Sequence, residues 1–377
     1  MSAVIAGYFR SPFTPAHRGK LAGVRSDDIA ATVINALVKE TKIDPSLIED
    51  LIVGTAFPEA EQGFNMARMI TFLTNLPESV AGVTINRFCG SSMQAIHDAV
   101  GRIAMGSGSA FIAGGVESMT RIPMTGFNPM PNPKLSENYP EAFTSMGITA
   151  ENLAKKYSIN REMQEEFAIQ SQSRASISRD SGLFSEEIVA IETKEGSINS
   201  DGCIRPGTDS VALSKLNPAF DSKGTVTAGT SSPLTDGAAF VLVCSEEFAN
   251  ENKLTPLARI LSTAVSGCSP EMMGIGPVEA TKKALKRANI SLDEIGIIEL
   301  NEAFAAQSLA VIEELGLDIS KVNIEGGAIA LGHPLGASGA RITGKAAQLL
   351  RKKGEKYALA TMCIGGGQGI ATVLERI

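Results

Sequence analysis

Tryptophan is missing from this 377-residue chain, and histidine occurs only three times, at His17, His97 and His333. So few imidazoles leave little from which to build a metal centre. Cysteine is also sparse: Cys89, Cys203, Cys244, Cys268 and Cys363 make an odd set with no CxxC pair and no zinc-ligand spacing. That argues against a disulfide framework and for a reducing compartment. No apolar run reaches the roughly 18 residues that would suggest a membrane-spanning helix. Basic residues are in deficit, 34 against 41 acidic ones, for a net charge of −7. A nucleic-acid partner wants the opposite balance. The opening Met1-Ser2-Ala3-Val4-Ile5-Ala6-Gly7-Tyr8 reads as a strand rather than a signal peptide, and the closing Leu374-Glu375-Arg376-Ile377 carries no peroxisomal-type address. The expected location is the cytoplasm.

What is present is an ordinary globular composition, 44% hydrophobic and 20% charged, on a chain long enough for two or three domain-sized units. A faint duplication runs through it. In the first half, Ile34–Glu40 reads as a helix and Leu51–Gly54 as a strand; in the second, Thr281–Arg287 and Ile297–Leu300 repeat the pair. Each half then continues with a glycine-flanked turn, a small-residue helix (Ser92–Met105, Gly339–Leu350) and an apolar strand (Ser109–Gly114, Tyr357–Met362). The fold class expected is α/β: two similar domains with mixed sheets, related by a pseudo-twofold. Between them, residues 117–232 break the rhythm. This stretch contains the Pro- and Asn-rich Pro123–Pro140, expected as irregular loop, and a charged amphipathic helix over Arg161–Asp180. It is expected as an inserted loop domain folded over the first domain and carrying a ligand-binding surface. The boundaries are then 1–116 with 233–254, 117–232, and 255–377.

Three glycine-rich turns carry reactive side chains. Cys89 lies in Asn86-Arg87-Phe88-Cys89-Gly90-Ser91-Ser92 at the start of a helix. Unpaired N–H groups and the positive end of the helix dipole there would favour a thiolate, and Gly90 would let the backbone approach a substrate. An inert buried thiol is the ordinary alternative for a lone cysteine. His333 lies in Leu331-Gly332-His333-Pro334-Leu335-Gly336, a rigid turn suited to a general base. His17 and His97 fit structural roles better. Cys363 ends an apolar strand and opens Gly365-Gly366-Gly367-Gln368-Gly369, whose N–H groups could face an oxyanion. Asn301, in Asn301-Glu302-Ala303-Phe304-Ala305, follows a strand at the edge where α/β proteins place their sites; it could hold a water, polarise a carbonyl or merely cap a helix. One cysteine–histidine pair suffices for acyl transfer. A second thiol argues for carbon–carbon chemistry, in which one group attacks and another handles an α-proton.

These blocks, together with Arg10-Ser11-Pro12-Phe13, Gly114-Gly115-Val116-Glu117-Ser118-Met119, Ile204-Arg205-Pro206 and Gly224–Ser232, resemble the thiolase family over nearly the whole chain. The phrasing around Cys89 and Cys363 is most similar to bacterial 3-ketoacyl-CoA thiolases of fatty-acid β-oxidation. The family usually has Arg-Thr-Pro where this chain has Arg10-Ser11-Pro12, and the connection from Glu192 to Arg205 is short beside the β-oxidation enzymes. The resemblance implies that Cys89 takes the acyl group, activated by His333, and that Cys363 protonates the departing acetyl-CoA enolate. One oxyanion hole would combine His333 with a water held by Asn301; the other would use the N–H groups of Cys89 and Gly365. Coenzyme A would bind as a substrate along the inserted segment, against Arg205, Ser232, Met146, Ala303, Phe304 and Phe220. No metal or bound cofactor is implied.

The resemblance also implies a homodimer or homotetramer joined through first-domain edge strands, with a complex containing a hydratase/dehydrogenase chain as an open alternative. Three rival functions stay open from the sequence: a biosynthetic acetoacetyl-CoA thiolase, a condensing ketoacyl synthase, and a non-catalytic CoA- or lipid-binding relative. The synthase would want a second histidine, or an asparagine, in place of Cys363. The binding relative would have lost a thiol or the histidine, and this chain retains all three.

Overall fold

Apolar strands alternate with amphipathic helices through both halves of the computed structural model, which describes residues 2–377. In the first half, the strands run in the order Ala81–Ile85, Asp50–Gly54, Ala110–Ser118, Thr235–Ser245, Ala3–Arg10. The first three are mutually parallel; Thr235–Ser245 runs antiparallel to both its neighbours. In the second half, the order is Ile295–Leu300, Tyr357–Ile364, Gln368–Glu375, Ala258–Gly267, with the same parallel and antiparallel pattern. The counterpart of the first half's edge strand survives there as a single parallel bridge between Ile298 and Val322. The two halves therefore share one mixed topology, as the duplication in the sequence leads one to expect.

The opening strands of the halves lie side by side and antiparallel, Ala3 opposite Ile260 and Ile5 opposite Ala258. Two copies of one strand paired this way are what a local twofold produces. The sheet is continuous, and it wraps two central helices, Ser91–Ala104 and Leu335–Lys353. In the second of these, every residue from Leu335 to Leu350 is buried, as expected of a helix enclosed on all sides. Gly339 is required at their crossing, since a Cβ there would sit 2.5 Å from the Met93 amide nitrogen. Separate apolar clusters pack the helices Ser26–Thr41 and Met66–Thr71 on the outer face of the first half, and Gly276–Ala288 on that of the second. Left-handed residues close four of the helices: Lys42, Asn289, Gly316 and Gly354.

The 117–232 segment lies against both halves, and not against the first alone. Its helices Met146–Lys156 and Arg161–Asp180 lean on the second half, through Asn152 Nδ2 to Glu271 O (2.9 Å), Ser171 Oγ to Glu302 Oε2 (2.6 Å) and Gln172 Nε2 to Ile329 O (3.2 Å). The same segment also returns to the first half, through Arg121 Nε to Glu61 Oε2 (2.6 Å), Phe127 N–H to Glu59 Oε2 (2.6 Å), Arg10 to Glu187 and Asp201, and Gly202 N–H to Phe13 O. The Pro- and Asn-rich stretch is not wholly irregular either. Asn132 caps a short helix, Pro133–Asn138, by accepting from Leu135 N–H, with Pro133 pre-set in the first turn. Among the described residues no helix is long and apolar enough to cross a membrane, and no group of His, Cys, Asp and Glu has metal-site geometry.

Candidate active site

The three turns meet at one cavity of about 190 Å³, lined by Cys89, His333 and Cys363 with Met146, Phe220, Ser232, Ala303 and Phe304. No charged side chain lines it among the described residues. Larger surface grooves elsewhere, such as one of about 890 Å³ between Arg18–Asp28 and Glu192–Glu195, contain none of these groups.

Cys89 is held just outside its helix by a tight turn. Asn86 Oδ1 accepts from Phe88 N–H (2.7 Å), while Asn86 Nδ2 donates to Ala56 O (3.0 Å). Ser91 Oγ accepts from Arg87 N–H (2.9 Å) and donates to Phe88 O (2.6 Å). Phe88 is forced to a φ of 43°, a left-handed conformation unusual for an aromatic residue and a local strain beside the thiol. The thiolate expected from the helix terminus is not the resting form. Burial pushes the thiol up to about 11, outweighing the N–H groups of Gly365 and of Cys89 itself, which pull it down. The position of those two N–H groups places Gly365 against the Cys89 sulfur, across from the other half's strand end.

His333 is fixed from three sides. Its N–H donates to Thr235 Oγ1 (3.0 Å), Nδ1 meets Ser338 Oγ (2.5 Å) and Nε2 faces Asn301 Nδ2 (3.3 Å). Ser338 Oγ donates its own hydrogen to Pro334 O (2.9 Å), so it accepts from His333 Nδ1–H. That assigns the tautomer: the Nε2 lone pair faces Asn301 and the cavity. Burial, with Arg341 nearby, holds the ring neutral and its pKa down to about 3. Asn301 Oδ1 is then buried without a partner among the described residues. No hydrogen bond joins Cys89 Sγ to His333 among the described residues, so thiol and base share the cavity without a preformed ion pair.

Cys363 is the third wall, 1% exposed at the end of Tyr357–Ile364. Gly366 and Gly367, at φ 77° and 79°, turn the chain sharply beyond it. Burial first, then the neighbouring Cys89, raise its pKa well above that of an ordinary thiol. Ser232 N–H and Oγ both reach Ala303 O (3.0 and 3.1 Å), and Phe220 meets Phe304 edge-on at 5.7 Å, which ties the inserted segment to the strand end after Asn301.

Arg205 is not brought to the cavity. Its side chain is exposed, while its N–H donates to Gln172 Oε1 (2.8 Å) and its carbonyl accepts from Thr208 Oγ1 (2.8 Å). Several cavity residues escaped the sequence reading. Met119, Met124 and Met273 line the wall with Leu335, but methionine in a sequence signals only apolar surface. Ser338 orients the histidine from Ala337-Ser338-Gly339, where a small residue reads as helix packing.

Family models described as Thiolase, N-terminal domain and Thiolase, C-terminal domain match residues 3–247 and 254–376. The chain is 48% identical to a 3-ketoacyl-CoA thiolase of Pseudoalteromonas translucida over 99% of this chain and 98% of that protein. It is 46% identical to one of Bacillus subtilis over 99% of each. Among solved structures, human mitochondrial 3-ketoacyl-CoA thiolase superposes with a TM-score of 0.92 at 39% identity, covering 100% of this chain and 98% of that one. An acetyl-CoA acetyltransferase of Bacillus anthracis superposes at 0.90 and 36% identity, covering 100% and 99%.

Proposed function

The chain belongs to the thiolase family, two α/β domains performing acyl transfer on CoA thioesters, and from that premise we propose that it cleaves 3-ketoacyl-CoA with free CoA. The observation that carries this reading is the convergence of two thiols and a neutral imidazole in one uncharged cavity. A hydrolase or simple transferase has no use for Cys363.

In the proposed reaction His333 Nε2 removes the Cys89 proton as the sulfur attacks the 3-keto carbon. A depressed histidine and a raised thiol make this transfer unfavourable until substrate is seated, so thiolate appears only as it is consumed. The N–H groups of Cys89 and Gly365 receive the developing oxyanion, a contribution typically of about 3 kcal/mol per donor. Collapse breaks the C2–C3 bond, leaving the acyl group on Cys89 and the electron pair on the acetyl-CoA enolate. That enolate takes the Cys363 proton, its oxygen held beside His333 and a water bound by Asn301. The CoA thiol then gives its proton to the Cys363 thiolate and attacks the acyl-enzyme; the Cys89 sulfur departs, taking its proton back from His333, and the shortened acyl-CoA leaves. Met146, Phe220, Ser232, Ala303 and Phe304 would flank the pantetheine arm, and Arg205, outside the cavity, would meet the phosphates.

The reverse condensation of two acetyl-CoA is the second reading, favoured by the likeness to an acetyl-CoA acetyltransferase. Thiolysis of acetoacetyl-CoA against a long-chain 3-ketoacyl-CoA separates the two. Comparable or faster turnover of the long chain supports the degradative reading, and activity confined to acetoacetyl-CoA supports the biosynthetic one. We also propose self-association through Ala81–Ile85, an edge strand with an unpaired side near the 92%-exposed Phe64.

A further inference from the structure

Behind the site lies a buried polar cluster that the proposed reaction does not use. Arg10, Arg341 and Lys345 face Glu187, Asp201, Glu299 and Glu325, with the Tyr8 hydroxyl among them, and all are nearly or wholly buried. Arg10 binds Glu187 (2.7 Å) and both oxygens of Asp201 (2.7 and 2.9 Å). Lys345 binds Glu325 (2.8 Å) and Glu187. At the end nearest the cavity, Arg341 Nη1 donates to Glu299 Oε2 (2.7 Å), with 1% and 0% of the two side chains exposed.

This last pair is placed like a second rung beside the catalytic one. Glu299 precedes Asn301 by two residues along a strand direction, so both side chains leave the same face. Arg341 follows Ser338 by three residues on the central helix, so those two share a helix face. Asn301 meets His333, whose ring rests on Ser338; two residues back and one turn on, Glu299 meets Arg341. Buried ion pairs are a weak source of stability, because desolvation offsets their attraction. A dry interior holding this one at a strand end and a helix start calls for another use.

We propose that the Glu299–Arg341 pair is a positioning element for the Asn301–His333 couple, fixing the strand end that carries the amide against the helix that supports the imidazole. The inference rests on the reading that His333 and Asn301 hold the enolate oxygen. The contact is one-pointed: among the described residues, Glu299 Oε1 and Arg341 Nε and Nη2 have no partner. It can therefore change with protonation without breaking a wider network. Three cations cannot neutralise four carboxylates, and the odd proton belongs on the least compensated one. Burial pushes Glu299 up to about 7; Arg341 and Lys345 from the helix pull it down, while Glu325 and Glu187 push it up. Tyr8 and Arg10, from the first-half strand Ala3–Arg10, complete the surroundings.

The test compares two half-reactions in the full-length protein: exchange of the acetyl-CoA α-protons with heavy water, whose enolate oxygen is held by the whole Asn301–His333 couple, and acylation of Cys89 by acetyl-CoA, whose oxyanion is held by the Cys89 and Gly365 N–H groups and which needs His333 only as base. In Glu299→Gln and Arg341→Met, exchange is expected to fall by about 10-fold to 100-fold and acylation by no more than a few-fold. Arg341→Lys should recover part of the exchange. The pH profile of exchange should lose its ionisation near neutrality in Glu299→Gln. Equal losses in both half-reactions, or no loss in either, would overturn the proposal. Should Arg341→Met fail to fold, the isosteric Glu299→Gln decides alone. A wild-type protein that performs neither half-reaction overturns the underlying reading instead, which keeps the two failures apart.

Discussion

Equivalent positions in the two halves hold a scaffold carboxylate in one and a cavity-lining thiol in the other. Strand Ala110–Ser118 sets Gly115 beside Gly54, the last residue of its parallel neighbour, and Glu117 across from Gly237. Strand Tyr357–Ile364 sets Thr361 beside Leu300, again a last residue, and Cys363 across from Gly369. Glu117 and Cys363 thus share one ladder position. In the first half that position binds the core together. Glu117 accepts from Ala56 N–H (2.7 Å), Gln62 Nε2 (2.7 Å), Gly336 N–H (2.8 Å) and Thr55 Oγ1 (3.1 Å), and so caps the central helix of the opposite half. In the second half the same position opens into the cavity. The central helices divide labour likewise: one starts behind a thiol, the other behind an imidazole. Duplication supplies a symmetric frame, and single residues make it asymmetric.

Substitution at the paired positions sharpens the contrast. Cys363→Ala should accept an acyl group at Cys89 yet lose α-proton exchange by about 100-fold or more, with its unfolding midpoint little changed. Normal exchange in that variant would remove the proposed role of the second thiol. Glu117→Gln should show the opposite profile. An amide turned toward backbone donors loses hydrogen bonds to a charged acceptor, costing about 1–3 kcal/mol, read as a lower urea midpoint. An unchanged midpoint would mean that the carboxylate is not holding the two halves together.

A smaller effect concerns pH. His97 Nε2 bonds Thr372 Oγ1 (2.8 Å) between the first central helix and a strand of the second half. Burial, then Arg87 and Arg287, lower its pKa to about 3. Its unfolded value is higher, so the unfolded chain binds more protons. Its stabilising contribution is present above about pH 6.5 and drains away as pH falls toward 3, by roughly 1 kcal/mol per pH unit. His333 has the same sign. Glu299 has the reverse, since its raised pKa costs stability as pH rises from 4.5 toward 7. Urea midpoints at pH 7 and pH 5 should therefore drop in the wild type and drop less in His97→Gln; equal drops would contradict the buried, neutral ring.

Much of this frame is legible in the sequence because period and caps agree. Arg161–Asp180 is read to its ends, since Asn160 caps it and charged residues alternate with a buried stripe. The central helix is read four residues short, from Gly339 rather than Leu335, because Gly336 and Gly339 look like breakers where they serve close packing. The reactive residues are legible as turns, but their state is not. A helix terminus argues for a thiolate at Cys89, whereas depth in the core, invisible in a linear pattern, decides for the thiol. Ser338, Met124 and the outward orientation of Arg205 depend in the same way on neighbours distant in the chain.

The division of labour is tested most directly by locating the acyl group. Protein incubated with acetoacetyl-CoA, quenched in acid and digested, should carry acetyl on the peptide containing Cys89, and Cys89→Ala should carry none. Acetyl on Cys363, or an adduct that survives in Cys89→Ala, would contradict the account.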